Sequence, residues 1–442
     1  MNYGLRYRAV SAALAATVGF AALTGCSGIG AGSGDGSGSG DVNVTEEVPD
    51  IPMTVETEIR ELAAGETEDY RGGYLDFSFA LLNGCLDSDG RDANVMVSPA
   101  SVMLALDMTA SGAKDATLAQ IMALYGGTDD PQGQLSYASY LMKRMNSSDG
   151  VKLHAANSMW VNENVLPEPL RVDFVDFVQD SFEAESSRLV FDATARDRIN
   201  GWVNDNTDGM IPKIVDDLDP TMAMMLINAI AFDGKWKTQY DDNQVHDDIF
   251  TSASGQEQQA DMLYSTEGIY LENDLATGFA KYYEGGRYAF VVMLPKDTAS
   301  SAGDMLSSFD GNVFASYLAS ATREYDVRSR MPEFSCDWGS SIKSQLQALG
   351  MKVPFSESAD FSGIADTGSE NLFIGDVIHK THIDVDRNGT RAAAVTAVEM
   401  YRNAAVMEEP EVKEVFCDRP FAYAIVDMEE GIPLFVGTVN EI

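Results

Sequence analysis

Between Asp386 and Val398 the chain reads Asp-Arg-Asn-Gly-Thr-Arg-Ala-Ala-Ala-Val-Thr-Ala-Val, the stretch that most restricts what it can fold into. Asn388-Gly389 is a turn signal, because both residues tolerate the positive φ that tight turns need. Small residues then run on with neither Gly nor Pro among them. At a period of two, Thr390, Ala392, Ala394, Thr396 and Val398 share one face, and Arg391, Ala393, Val395, Ala397 and Glu399 the other. The first face is small and uncharged, while the second carries both charges. A segment with such a face fits between two strands in the middle of a β-sheet. Alanine forms strands poorly and helices well, so an Ala-rich helix is the competing reading.

With 442 residues, 45% of them hydrophobic, the chain can bury a large core, and length alone suggests two or three domains. Its formal charge of −39 repels nucleic acid and anionic membrane. The acidic residues are spread out rather than run in blocks, the pattern of a solvated surface. Four cysteines, Cys26, Cys85, Cys336 and Cys417, show no Cys-x-x-Cys and no zinc-type spacing.

Arg6 and Arg8 precede an apolar run, 9–23, that is too short to span a bilayer. The run ends in Leu23-Thr24-Gly25-Cys26, which resembles a bacterial lipobox. Cleavage before Cys26 would leave a diacylated cysteine, and two acyl chains anchor stably where one does not. Lipid on Cys26 would leave three thiols, which argues against a disulfide framework but leaves room for one bridge. Residues 27–40 are mostly Gly and Ser, a flexible tether, and an acidic stretch follows. The expected division is a signal peptide over 1–25, a tether over 26–58 and a folded body over 59–442.

Within the body, Tyr74 to Leu86 has helical periodicity. A short apolar strand is expected to end at Ser98, where Pro99 suits a first helical turn. Strands are expected over 157–161 and 224–236, and a helix over 167–182. The run from Gly278 to Pro295 reads as two strands joined at Gly285-Gly286. The second of these is almost wholly apolar and so buried on both faces. His382, Asp384 and Asp386 lie at period two; a divalent-metal site is conceivable there, but a solvated strand face is the preferred reading. Ser111-Gly-Ala-Lys114 fits the Ser-x-x-Lys of penicillin-recognising enzymes, yet their Ser-Asp-Asn and Lys-Thr-Gly are absent, so the short match is read as chance. No His-Glu-x-x-His, Gly-x-Ser-x-Gly or Walker loop occurs.

Several longer stretches, in order, resemble the serpins, the serine protease inhibitors. Gly389-Thr-x-Ala-Ala-Ala-x-Thr-Ala, ten residues after His379-Lys380, is similar to the hinge of their reactive loop. Asn94-x-x-x-Ser98-Pro99-x-Ser101-Val102-x-x-Ala-Leu106, Ile199-Asn-Gly-Trp202-Val-Asn204 and Asn228-x-x-x-Phe232-x-Gly234-x-Trp236 are similar to further family segments. So are Ala359-Asp-Phe-Ser-Gly-Ile364, Asp418-Arg-Pro-Phe421 and Leu434-Phe-Val-Gly437. The resemblance covers about residues 60–442.

It implies an α+β fold of one domain, with three β-sheets, eight or nine helices and an exposed reactive-centre loop over about 387–416. It implies an inhibitor rather than an enzyme, with no catalytic residue, no cofactor and no metal. Ser98, Ser101, Asn228 and His379 would form a polar shutter beneath the central sheet, and Trp236 would stand where the loop enters. The hinge would be Gly389, Thr390, Ala392, Ala393, Ala394 and Thr396. Counting forward from Gly389 puts the reactive bond after Asn403, with Arg402 and Ala404 beside it. Counting back from Pro420 puts it near Glu409. The forward count is preferred, because the length of the inserted strand is what the mechanism constrains.

The implied partner is a serine protease, trypsin-like or elastase-like, or a cysteine protease, held as a covalent acyl complex. The protein would be a monomer on the outer face of the cell envelope, lipid-anchored at Cys26 or secreted, with no nucleic acid partner. Arg387 stands where serpins usually carry Glu, and Arg391 at another often acidic position, which puts a usual salt bridge at the top of the sheet in question. The alternative is a non-inhibitory serpin, a binding protein or a protease-cleaved sensor. A more distant rival is a lipoprotein hydrolase built on Ser111 and Lys114.

Overall fold

The computed structural model describes residues 53–56, 58–63, 65–127, 129–147, 150–366, 372–390 and 410–442. The first half builds α1 (Thr67–Asp89), β1 (Met96–Val97), α2 (Pro99–Ala110), α3 (Asp115–Ala123), α4 (Pro131–Asn146), β2 (Val151–Asn162), α5 (Val172–Phe182), β3 (Glu185–Leu189), α6 (Ala193–Asn206) and β4 (Met224–Lys235). Strands dominate the second half: β5 (Val245–Thr251), β6 (Glu257–Glu267), β7 (Tyr270–Glu272), β8 (Ala276–Tyr282) and β9 (Tyr288–Pro295). The helices α7 (Ala302–Leu306) and α8 (Gly311–Ala319) follow, then β10 (Tyr325–Pro332), β11 (Phe334–Ser341) and α9 (Lys343–Ala348). The chain closes with β12 (Ile374–Val385), β13 (Gly389–Thr390), β14 (Glu411–Phe416), β15 (Phe421–Asp427) and β16 (Ile432–Val439).

Among the described residues these nine helices and sixteen strands form three sheets, the α+β architecture expected. The central mixed sheet runs β11-β12-β13-β4-β2-β3. A second sheet runs β1-β16-β15-β9-β8-β7, and a third, four-stranded, runs β14-β10-β6-β5. Residues 49–442 form one compact unit, so the length-based expectation of several domains is corrected. The reason is visible in β9, β15 and β16, which are buried along their whole length and serve one shared core.

Local chemistry sets the boundaries that matter. Ser98 ends β1 and caps α2, its Oγ accepting from the Ser101 amide, and Pro99 occupies the first helical turn. Gly285 and Gly286 turn the β8–β9 hairpin with φ of 80° and 75°. The helix expected over 167–182 begins only at Val172. Leu170 instead pairs with Ala365, and the Arg171 amide donates to Ile364 O at 2.8 Å, so tertiary pairing at 170 and 171 keeps the helix from starting earlier. Residues just before α1 lie against the body: the Met53 amide donates to Asp115 Oδ1 at 3.0 Å, and the Asp115 amide to Met53 O at 2.8 Å. Cys85, Cys336 and Cys417 are all free and buried, so no bridge joins them.

Candidate functional site

The central sheet is closed along most of its length and wedged open at one end. β12 and β4 are parallel partners from Ile374↔Met224 to His382↔Ala231. Beyond that point β13 lies between them: Gly389 pairs with Lys235, Thr390 with Gly234, and Thr390 also with Val385. The small-residue run therefore begins as a two-residue strand seated in the mouth of the sheet. Glycine is required at the entrance, because a Cβ on Gly389 would lie 2.2 Å from Gly234 O and 2.7 Å from Lys235 Cα. Thr390 is fully buried, and its hydroxyl is 2.7 Å from that of Tyr283.

The turn before the wedge is not made as the Asn-Gly dipeptide suggested. Neither Asn388 nor Gly389 has a positive φ. Asp386 Oδ1 instead accepts from the Asn388 and Gly389 amides at 2.6 and 3.0 Å, an Asx turn that leaves the dipeptide in ordinary conformations. Residues just past β4 hold this turn in a cradle. Trp236 donates from its amide to Asn388 O at 3.0 Å and from Nε1 to Asp386 O at 2.8 Å. The Tyr240 amide donates to Arg387 O at 2.9 Å. Trp236 in turn stacks on Tyr283, centroids 4.6 Å apart.

Arg387, the departure that put the top salt bridge in question, forms an ion pair of its own. Its Nε lies 2.9 Å from Glu333 Oε1, and its amide donates to the same oxygen at 3.0 Å. Asp242 and Asp261 stand farther off at 3.7 Å. The side-chain bond to Glu333 raises the guanidinium pKa above its ordinary value.

A second polar group sits at the centre of the sheet. Asn157, Asn228 and His379 form a row across β2, β4 and β12, each directly opposite the next. Beneath them Asn228 Nδ2 donates to Ser101 O at 2.7 Å and to Asn157 Oδ1 at 2.5 Å, and it also contacts Ser101 Oγ. The Ser98 amide donates to His379 Nε2 at 3.0 Å, and Ser98 Oγ donates to Leu434 O at 2.7 Å. Ser98, Ser101, Asn228 and His379 are wholly buried and Asn157 nearly so. Burial pushes the His379 imidazole down to about 3. His379 is neutral, its unprotonated Nε2 the acceptor.

The sequence reading missed Asn157, Tyr283 and Glu333. Asn157 lies in a strand that also holds Ser158 and Asn162, so no local signal singled it out, and Tyr283 and Glu333 had none either. His382, Asp384 and Asp386 do not form one group: His382 Nδ1 meets Asp337 at 2.8 Å and its Nε2 meets Asp384 at 3.0 Å, while Asp386 is taken up by the turn. Ser111 Oγ donates to Met108 O of its own helix at 2.6 Å. Cys26, Arg391, Ala392, Ala393, Ala394, Thr396, Arg402, Asn403 and Ala404 lie outside the described residues. The downstream end of the expected loop is β14, paired in parallel with β10 from Glu411↔Tyr325 to Phe416↔Arg330.

A mixed sheet with a two-residue wedge in its mouth, a polar row at its centre and a chain that resumes on a separate sheet at β14 defines a class of protein. Residues 73–442 match the family model described as Serpin (serine protease inhibitor), and the chain belongs to the serpin family. An uncharacterised serpin-like protein of Thermococcus kodakarensis is 31% identical over 79% of this chain and 80% of its own length. Iris of Ixodes ricinus is 29% identical over 83% of this chain and 98% of its own. The native state of tengpin, a thermophilic serpin, superposes with a TM-score of 0.78 at 36% identity, covering 87% of this chain and 96% of tengpin. Its latent state gives 0.72 at 34% identity. Human thyroxine-binding globulin shares the fold, with a TM-score of 0.76 at 23% identity.

Proposed function

We propose that this serpin inhibits serine endopeptidases, and cysteine endopeptidases of like reach, by loop cleavage and strand insertion at the bacterial cell surface. The observation that carries the reading is the wedge: Gly389 and Thr390 already occupy the mouth between β4 and β12, which are directly paired below it. A protease attacks one peptide bond of the loop and becomes esterified to it. The cut frees the hinge to continue inward from Thr390 as a new strand, with Ala392, Ala394 and Thr396 on the buried face. About fourteen residues at roughly 3.3 Å each make a strand on the order of 46 Å, which drags the protease across the body. Hydrolysis of the ester needs geometry good to about 1 Å, so a distorted active site stalls there. The shutter row of Asn157, Asn228 and His379 parts as the strand passes.

The reactive bond follows Asn403 or a neighbour, Arg402 or Ala404, giving trypsin-like or elastase-like targets. Lipid on Cys26 and the tether after it hold the protein outside the cell as a monomer.

The test is incubation of the purified chain with trypsin, elastases, subtilisin and a papain-like protease. A complex that survives boiling in detergent is expected, and the mass of the released C-terminal peptide names the cut bond. Cleavage with no complex across the panel would replace this reading with a non-inhibitory serpin. Labelling by radioactive palmitate that is lost in Cys26→Ala tests the anchor.

A further inference from the structure

Directly behind the hinge cradle lies a buried charge. Lys281, on β8, is 4% exposed, and its Nζ is 2.8 Å from Glu267 Oε1 at the end of β6. The Glu267 side chain is itself only 12% exposed. The ammonium lies over the Tyr240 ring at 4.2 Å from its centroid and 5.7 Å from that of Trp236. Glu267 also accepts from Ser265 Oγ at 2.6 Å, and Ser265 and Ser329 hydroxyls meet at 2.8 Å. Ser329 stands opposite Val415 of β14.

A buried ion pair seldom stabilises a fold more than an apolar pair of the same shape. What it does give is direction, because a cation fixes the aromatic faces packed on it and the acid fixes the cation. The two rings here belong to the residues whose amides bind Asn388 O and Arg387 O. The pair also joins the sheet that contains β8 to the one that contains β6, β10 and β14. The two ends of the reactive loop therefore rest on one polar nucleus: Thr390 through Tyr283 and Trp236, and β14 through Ser329.

We infer that Lys281 and Glu267 are positioning residues for loop insertion: their buried pair holds Trp236 and Tyr240, and through them the turn 386–388, where the hinge can feed into the sheet. This deepens the insertion reading above and rests on it. Among the described residues, Lys281 Nζ pairs with Glu267 and lies over the Tyr240 and Trp236 rings, so the pair acts on the turn through the aromatic pair.

The test compares the full chain with Lys281→Met, Glu267→Gln and the double variant. Each single change leaves one member of the pair buried without its partner and lowers the unfolding midpoint. The double change removes both charges and is expected to restore most of that midpoint, which separates positioning from stability. Hydrogen exchange is then read by mass spectrometry over 236–240 and 385–390. In the double variant the amides of Trp236, Tyr240 and Gly389 should exchange about tenfold faster, the scale of one buried cation–π contact, with the rest of the sheet unchanged. More protein should also be cleaved per protease molecule trapped. Wild-type exchange over both segments in the double variant overturns the inference. Should the wild-type chain trap no protease, the insertion reading falls, while the exchange comparison still decides whether the pair holds the turn.

Discussion

Acid should weaken this protein through one residue, His379. Its Nε2 accepts from the Ser98 amide at full burial, and that burial holds the imidazole at about 3. In an unfolded chain it titrates near its ordinary value of about 6.5. The folded value is the lower, so as pH falls the unfolded chain takes up the proton first. The stability is whole above about pH 6.5 and drains between there and about pH 3. Each unit of pH below the unfolded value costs the fold roughly 1 kcal/mol, so the loss at pH ~4.5 is on the order of 3 kcal/mol. Carboxylates titrate in the same range, so the control is His379→Gln, whose amide oxygen can accept from Ser98 but carries no titrating proton. Urea unfolding of both proteins from pH ~7.5 to pH ~4.5 should show the wild-type curve falling more steeply. The gap between the two should widen by a few kcal/mol, on the order of 3, over the range. Parallel curves would refute the reasoning. So would a carbon-13 histidine spectrum in which all four imidazoles titrate near neutral pH.

Three further outcomes follow from particular contacts. Gly389→Val should expel the wedge, since its first carbon would already collide with Gly234 O, and the loss should register as a change in Trp236 fluorescence together with slower complex formation. Arg144→Ala should cost about 3 kcal/mol in denaturant unfolding. Asp427, 2% exposed, lies 2.8 Å from both Arg144 and Arg287. Burial alone would raise its carboxyl, but the two guanidiniums hold it below the usual range, so a second change, Asp427→Asn, should recover part of the loss. Ala394→Arg should turn the inhibitor into a substrate, because the buried face of the new strand cannot take a charge quickly; an unchanged stoichiometry of inhibition would sink the insertion model.

How far the sequence could be read differs from element to element. The β8–β9 hairpin was legible because Gly285-Gly286 forces its turn locally and an eight-residue apolar run leaves β9 no solvent face. The start of α2 was legible because Ser98 and Pro99 act on the very residues beside them. The start of α5 was not, because a pairing with residues 364 and 365, far along the chain, overrides helical periodicity before Val172. The Asn388-Gly389 signal named the right place for a turn and the wrong device, because Asp386 supplied hydrogen bonds that made positive φ unnecessary.

By itself, then, the sequence determined which runs are buried on both faces, where the α2 cap and the β8–β9 turn fall, and the order of motifs that marks the family. These follow from sterics and periodicity, which act over a few residues. Only the tertiary structure decided the partners. It set Asn228 against Ser101 and Asn157 across separations of 127 and 71 residues, and Ser98 against His379 across 281. It also gave Arg387 its acid in Glu333 and placed Lys281 with Glu267 behind the Trp236–Tyr240 cradle. A buried polar group must find a partner, but which one it meets depends on how distant strands pack, and no local pattern encodes that.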